Sequence, residues 1–208
     1  MLPPYAELHC LSNFSFLRGA SHPEELVERA KALGYAALAL TDECSVAGAV
    51  RAHLAAKEVG LKLVVGSEFA LADGLKLALY ATDRESYGDL AQLITRGRRN
   101  AKKGAYALTR DDVAALGSRC PALWFPSLDL RADDDATARA QARWMADIFN
   151  GRGWIAAEVV ARAGDRLRLE RLTALSRDSG LPLVAAGDVH MHVRARRTDC
   201  AAASNRCA

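Results

Sequence analysis

Apolar and polar positions along the chain fall into two alternating periods. Short apolar runs at residues 5–10, 36–41, 61–65, 75–81, 122–125, 154–160 and 183–186 read as strands. Between most of them, apolar residues recur at helical spacing. Leu26, Val27, Ala30 and Leu33 mark one helix, and residues 46–59, 83–97, 136–149 and 165–179 predict others, with a short one opening at Thr109. Ser21-His22-Pro23-Glu24 has the form of a capping box, and Gly34, Gly60 and Gly180 supply stops.

Strands alternating with helices predict a parallel sheet with right-handed crossovers, built as an open doubly wound sheet or as a barrel. The placement of polar residues favours the barrel. His9, Asp42, Glu68, Asp188 and His190 each fall at or just after the end of a predicted strand. In a barrel these ends gather around one pocket, whereas in an open sheet they spread along an edge.

Composition narrows the chemistry. Lys plus Arg is 28 against 25 Asp plus Glu, and a net charge of +3 does not by itself argue for nucleic-acid binding. The cysteines number 5, an odd count without a CxxC pair, so neither a disulfide frame nor a zinc knuckle is indicated. No apolar run is long enough for a membrane span, and the first residues lack a signal-peptide pattern, so a cytoplasmic location is expected. The chain has no glycine-rich dinucleotide fingerprint, phosphate loop or GxSxG elbow.

Three strings carry a resemblance: YAELHCLSNFSFLRGASHPEELVERA, ALALTDECSVAGAVRAH and VAAGDVHMHVRARR. Together they resemble the PHP (polymerase and histidinol phosphatase) domain that opens bacterial DNA polymerase III alpha subunits, and more closely that of the error-prone branch. The resemblance implies an α/β fold, a distorted TIM-like (β/α)₇ barrel. It also implies a pocket that in active members holds up to three divalent metals through nine His, Asp, Glu or Cys ligands. Such metals activate water for phosphoester hydrolysis.

Against that pattern, the family's HxH reads His9-Cys10-Leu11, and the acid a few residues on is Arg18. TDH reads Thr41-Asp42-Glu43, GxE survives as Gly66-Ser67-Glu68, and the final DxH survives as Asp188 and His190. A further family histidine aligns by spacing with Lys76. Two like charges ~4 Å apart repel by about 4 kcal/mol at an effective dielectric of 20, so Arg18 and Lys76 oppose a cation cluster. A vestigial metal pocket is therefore expected at His9, Asp42, Glu68, Asp188 and His190, with side-chain cations in place of metal charge. Each residue also has a plainer reading: His9 packed in a strand, Asp42 capping the next helix, Glu68 a loop acid. Glu43 is expected as a solvated loop acid and His53 as a helix-surface residue. His22 and His192 carry no assigned chemistry.

The resemblance implies that the full protein is a DNA-directed DNA polymerase, a nucleotidyltransferase of translesion repair. This part is expected to be a non-catalytic structural domain without a cofactor of its own. Mg²⁺ would serve the full polymerase, whose palm carboxylates are not in this sequence. Expected partners are the remaining polymerase domains, DNA through the full protein, a sliding clamp and mutagenesis accessory proteins. One rival is a phosphoesterase holding one Mn²⁺ or Zn²⁺ on His9, Glu68, Asp188 and His190. Another is a nucleic-acid-binding module using Arg96, Arg98, Arg99, Lys102 and Lys103, or Arg194, Arg196 and Arg197. Residues 1–197 are expected to form the barrel. Residues 198–208, which carry neither period, are expected to be an unstructured aberrant tail where a coding sequence is cut short.

Overall fold

A proline sets the start of the first helix. The computed structural model describes residues 4–128, 135–161 and 163–197. In it, β1 (Ala6–Glu7) leads to α1 (Pro23–Ala32). The helix begins one residue later than the Ser21–Glu24 box predicts. His22 is the N-cap, and its backbone N–H donates to Glu25 Oε2 at 2.8 Å. Proline has no N–H to leave orphaned and its φ suits the first helical position, so Pro23 fixes this register. Ser21 Oγ pairs instead with His192 Nδ1 at 2.8 Å.

The chain divides into two compact units, Met1–Glu68 with Gly187–Ala208, and Phe69–Ala186. In the first, β1, β2 (Ala37–Leu40) and β3 (Lys62–Ala70) pair in parallel, with Glu7 opposite Leu38 and Leu38 opposite Leu63. Helix α2 (Ala49–Val59) ends at Gly60, whose φ of 65° is left-handed. Leu26, Val27 and Ala30 of α1 pack with Ala52, Ala55 and Ala56 of α2 over Leu38 and Leu40. Small alanines on α2 let the two helices lie close above the strands.

Strand β3 is longer than its apolar run predicts and carries Gly66, Ser67 and Glu68 within it. An isolated bridge between Glu43 and Glu68 and a 2.8 Å bond from Cys44 N–H to Glu68 carbonyl keep this stretch extended. The pairing backbone is tertiary, so hydropathy alone does not reveal it.

The second unit contains β4 (Lys76–Ala81), α3 (Arg84–Arg99), α4 (Arg110–Leu116), β5 (Ala122–Trp124), α5 (Ala136–Ile148), β6 (Gly153–Glu158), α6 (Asp165–Ser179) and β7 (Leu183–Ala186). β5, β6 and β7 pair in parallel, but β4 pairs with β5 antiparallel, a correction to the all-parallel expectation. The link before β4 is the short turn 71–75, closed by Leu71 N–H on Leu75 carbonyl. A parallel crossover needs about a dozen residues or more, which that link does not supply. The fully buried side chains here include Leu77, Leu79, Leu90, Leu93, Leu123, Trp124 and Met145.

Strand order follows chain order, β1 to β7. The residues after β7 return to those after β1: Val189 N–H donates to His9 carbonyl at 2.9 Å, and Leu11 N–H to Val189 carbonyl at 2.8 Å. These bonds join the two ends of the first unit's chain. The expected tail, 198–208, lies outside the described residues. No described helix is long and apolar enough to cross a membrane.

Candidate functional site

Three chain segments of the first unit build the site: the loop after β1, the loop after β2 with the end of β3, and the segment after β7. Their backbones are strongly constrained. Leu17, Cys44 and Asp188 have φ of 66°, 45° and 49°, conformations that non-glycine residues rarely adopt. Residues held this way persist only where the surroundings over-determine them.

Asp42 supplies much of that constraint. Its carboxylate is buried and accepts from Ser12 N–H at 2.8 Å, Ser12 Oγ at 2.7 Å and Ser15 Oγ at 2.7 Å. Ser15 Oγ in turn accepts from Glu43 N–H at 2.9 Å. Burial pushes the Asp42 carboxyl up from its ordinary value, partly offset by the Ser15 and Ser12 hydrogen bonds. Asp42 thus ties the loop after β1 to the turn after β2. It does not cap α2, whose N-cap is Gly48 without a side-chain bond.

Arg18 is carried back over this scaffold. Its Nη1 donates to Glu68 Oε1 at 2.5 Å and to Glu43 Oε2 at 2.7 Å, and its Nη2 lies 3.3 Å from Glu68 Oε2. Burial works against the guanidinium charge, but hydrogen bonds and attraction from Glu68, then Glu43, outweigh it and lift Arg18 above its ordinary range. Glu68 Oε2 also meets His9 Nε2 at 2.6 Å, with both side chains essentially inaccessible to solvent. His9 Nδ1 lies 3.6 Å from Asp188 Oδ1, which takes His190 Nε2 at 2.8 Å.

Of the residues singled out from the sequence, the structure brings His9, Arg18, Glu68, Asp188 and His190 into one chain of contacts. Asp42 stands beside it through the serines. Lys76 opens β4, and its ammonium lies 5.4 Å from the centroid of the Phe125 ring. Glu43, expected as a solvated acid, is ion-paired with Arg18. His53 is exposed on α2, as expected. His192, assigned no chemistry, receives Ser21 and lies 3.7 Å from Glu25.

Three participants went unremarked at the level of sequence. Ser12 and Ser15 carry no signal beyond being loop serines. Glu7 sits inside a strand pattern, yet it is buried and accepts from His9 N–H at 2.8 Å, Gly187 N–H at 2.9 Å and Tyr5 Oη at 2.9 Å. A buried carboxylate with three donors needs no cation partner to be satisfied.

Two of the family's ligand positions are engaged or lost. The Glu68 carboxylate is taken by a guanidinium and an imidazole, and a buried Leu11 offers no lone pair.

Comparisons with known proteins bear on both fold and lineage. Residues 7–156 match the model of the PHP domain. The chain is 56% identical over 201 residues to an error-prone DNA polymerase of Dechloromonas aromatica, covering 94% of this chain and 19% of that protein. It is likewise 56% identical over 194 residues to an error-prone DNA polymerase of Methylococcus capsulatus, covering 93% of this chain and 18% of that one. The chain thus spans about a fifth of the length of these relatives. Among solved structures, a Bifidobacterium adolescentis protein classed as a metal-dependent phosphoesterase matches with a TM-score of 0.67 at 17% identity, over 91% of this chain and 88% of that one. An amidohydrolase from Chromobacterium violaceum matches with a TM-score of 0.62 at 16% identity, over 89% and 87%. The surviving His9, Glu68, Asp188 and His190, the match over residues 7–156 and the identity to these relatives lead to one conclusion: this chain belongs to the PHP domain family.

Proposed function

We propose that this chain is the PHP domain of an error-prone DNA polymerase and serves it as a non-catalytic structural domain. In it, Arg18 holds the acids that a metal would otherwise hold. The observation that carries the reading is the Arg18 guanidinium, 2.5 Å from Glu68 and 2.7 Å from Glu43. A fixed positive charge there supplies what a cation would supply to Glu68, without an exchangeable water to activate. The lost ligand positions at Leu11 and Glu43 point the same way. In this setting the domain braces the remaining polymerase domains in the cytoplasm, and reaches DNA, a sliding clamp and accessory proteins only through the full protein. Template-directed nucleotidyl transfer across lesions, with its Mg²⁺, belongs to the rest of the polymerase.

The test is metal content and hydrolysis. Purified protein is expected to carry no stoichiometric zinc or manganese. It is also expected to leave a generic phosphomonoester and single-stranded DNA intact, with or without Mn²⁺ or Zn²⁺. Arg18→Asp, which returns an acid to the family position, is expected to raise divalent-ion uptake measured by calorimetry. Tightly bound metal in the unaltered chain would overturn the proposal.

One observation favours a second reading. His9 Nδ1 and His190 Nε2 both approach Asp188 Oδ1, at 3.6 and 2.8 Å. A single Mn²⁺ or Zn²⁺ there would make the chain a reduced phosphoesterase, the class to which the Bifidobacterium protein is assigned. Hydrolysis abolished by His190→Ala would establish that reading.

A further inference from the structure

A second feature lies in the unit formed by Phe69–Ala186, apart from the residues treated above. A surface cavity of about 460 Å³ opens between α3 and α4, lined by Ala91, Gln92, Thr95, Arg96, Arg99 and Asn100 of α3 and its C-cap and by Leu116 of α4. That volume is in the range of ligand sites, ~300–1,000 Å³. Its lining mixes apolar surface with polar groups from Gln92, Thr95 and Asn100 and two guanidinium groups one turn apart.

Its walls are held rigidly. Gly97 has no side chain, and a Cβ there would come within 3.0 Å of Leu108, so the chain after α3 lies tight against the helix. Ala107 N–H donates to Gly97 carbonyl at 3.0 Å. Thr109 caps α4 and exchanges hydrogen bonds with Asp112. Asp112 Oδ1 then holds Arg96 Nη1 at 3.3 Å. One guanidinium is thereby oriented, while Arg99 stands exposed beside it. Arg98 is turned elsewhere, 5.5 Å from the centroid of Tyr106. The exposed Lys102 and Lys103 continue the positive charge beyond the cavity.

We infer that this groove binds the phosphate backbone of a single-stranded nucleic acid. Arg96 and Arg99 would fork onto phosphate oxygens, and Gln92, Thr95 and Asn100 would offer polar contacts alongside. Guanidinium groups suit phosphate geometry, and a charge trail leading out of the groove suits a strand better than a free phosphate. Asp112 pairs with Arg96, so the positive charge of the lining rests on Arg99, which makes Arg99 the decisive residue. The assignment does not depend on the metal question, so its failure leaves the proposed function standing.

The experiment uses the intact chain and a dye-labelled oligothymidylate, with binding followed by anisotropy against salt. Arg99→Gln is expected to weaken binding about tenfold at low salt and reduce the salt slope by about one. Arg166→Gln, on the outer face of α6, is the control and is expected to change neither. Binding that is absent, or indifferent to Arg99, overturns the inference. Equal Arg99-dependent binding of polyglutamate overturns the nucleic-acid assignment in favour of an acidic protein. Arg99-dependent binding of inorganic pyrophosphate alone overturns the strand assignment.

Discussion

Asp42 is the residue whose environment departs most from what its neighbours in sequence suggest. A carboxylate at 1% exposure, held by hydroxyls and one amide with no salt bridge among its described contacts, retains its proton more readily folded than unfolded. Burial raises its pKa from an ordinary 3.8, so the folded state binds more protons in the window just above that value. Stability contributed by this residue therefore falls as pH rises through the window, then stays level. Asp42→Asn is expected to flatten that part of the melting-temperature profile against pH. An unchanged profile would show that another group sets it. The sequence marked Asp42 as a strand-end acid. It could not show the hydroxyls of Ser12 and Ser15, which arrive from a loop distant in the chain and are ordinary in composition.

At the scale of elements, the loop between β1 and α1 is the most constrained piece of the site. Gly19 passes so close to the backbone of Ser12 that a Cβ there would meet its carbonyl oxygen at 1.9 Å. Backbone cannot move aside as a flexible side chain can. Gly19→Ala is expected to lower stability by about 1–3 kcal/mol in urea denaturation, and to loosen Arg18, which follows the left-handed Leu17. A loss below ~0.5 kcal/mol, the size of an ordinary surface substitution, would mean that the loop relaxes freely. Helix limits were legible where a residue acts through its own backbone, as at Gly60 and Gly180, with φ of 65° and 75°. They were less legible where two candidate caps compete. Ser21 has the right chemistry for a cap, but His192 engages its hydroxyl and Pro23 sets the start one residue later.

Across the whole chain, Glu7 joins the first strand to the segment after the last. Its carboxylate takes the backbone amides of His9 and Gly187, and a Cβ on Gly187 would come within 2.3 Å of its Oε2. Burial, then the Glu7 charge and hydrogen bond, push the Tyr5 hydroxyl above its usual range. Glu7→Gln turns one acceptor into a donor and is expected to cost about 1–3 kcal/mol. Hydrogen exchange at the Leu11 and Val189 amides should rise first, because those amides bridge the two ends. Equal protection in the variant would remove Glu7 from the closure. Spacing alone could not show the ring of Phe125 beside the Lys76 ammonium, because that contact comes from the end of a strand distant in the chain.

The alternation of strand and helix, the seven-strand count and the position of His9, Asp42, Asp188 and His190 after strands were all determined by the chain's own periodicity. Local hydropathy and backbone preference act over only a few residues, and both are written directly in the sequence. The reversal of β4, the extension of β3 through Glu68 and the pairing of Arg18 with Glu68 and Glu43 were decided by tertiary structure. Each depends on which distant backbone or charge arrives opposite. A guanidinium on a loop becomes the counter-ion of a buried carboxylate only when the folded strands bring residues 18 and 68 within hydrogen-bond reach.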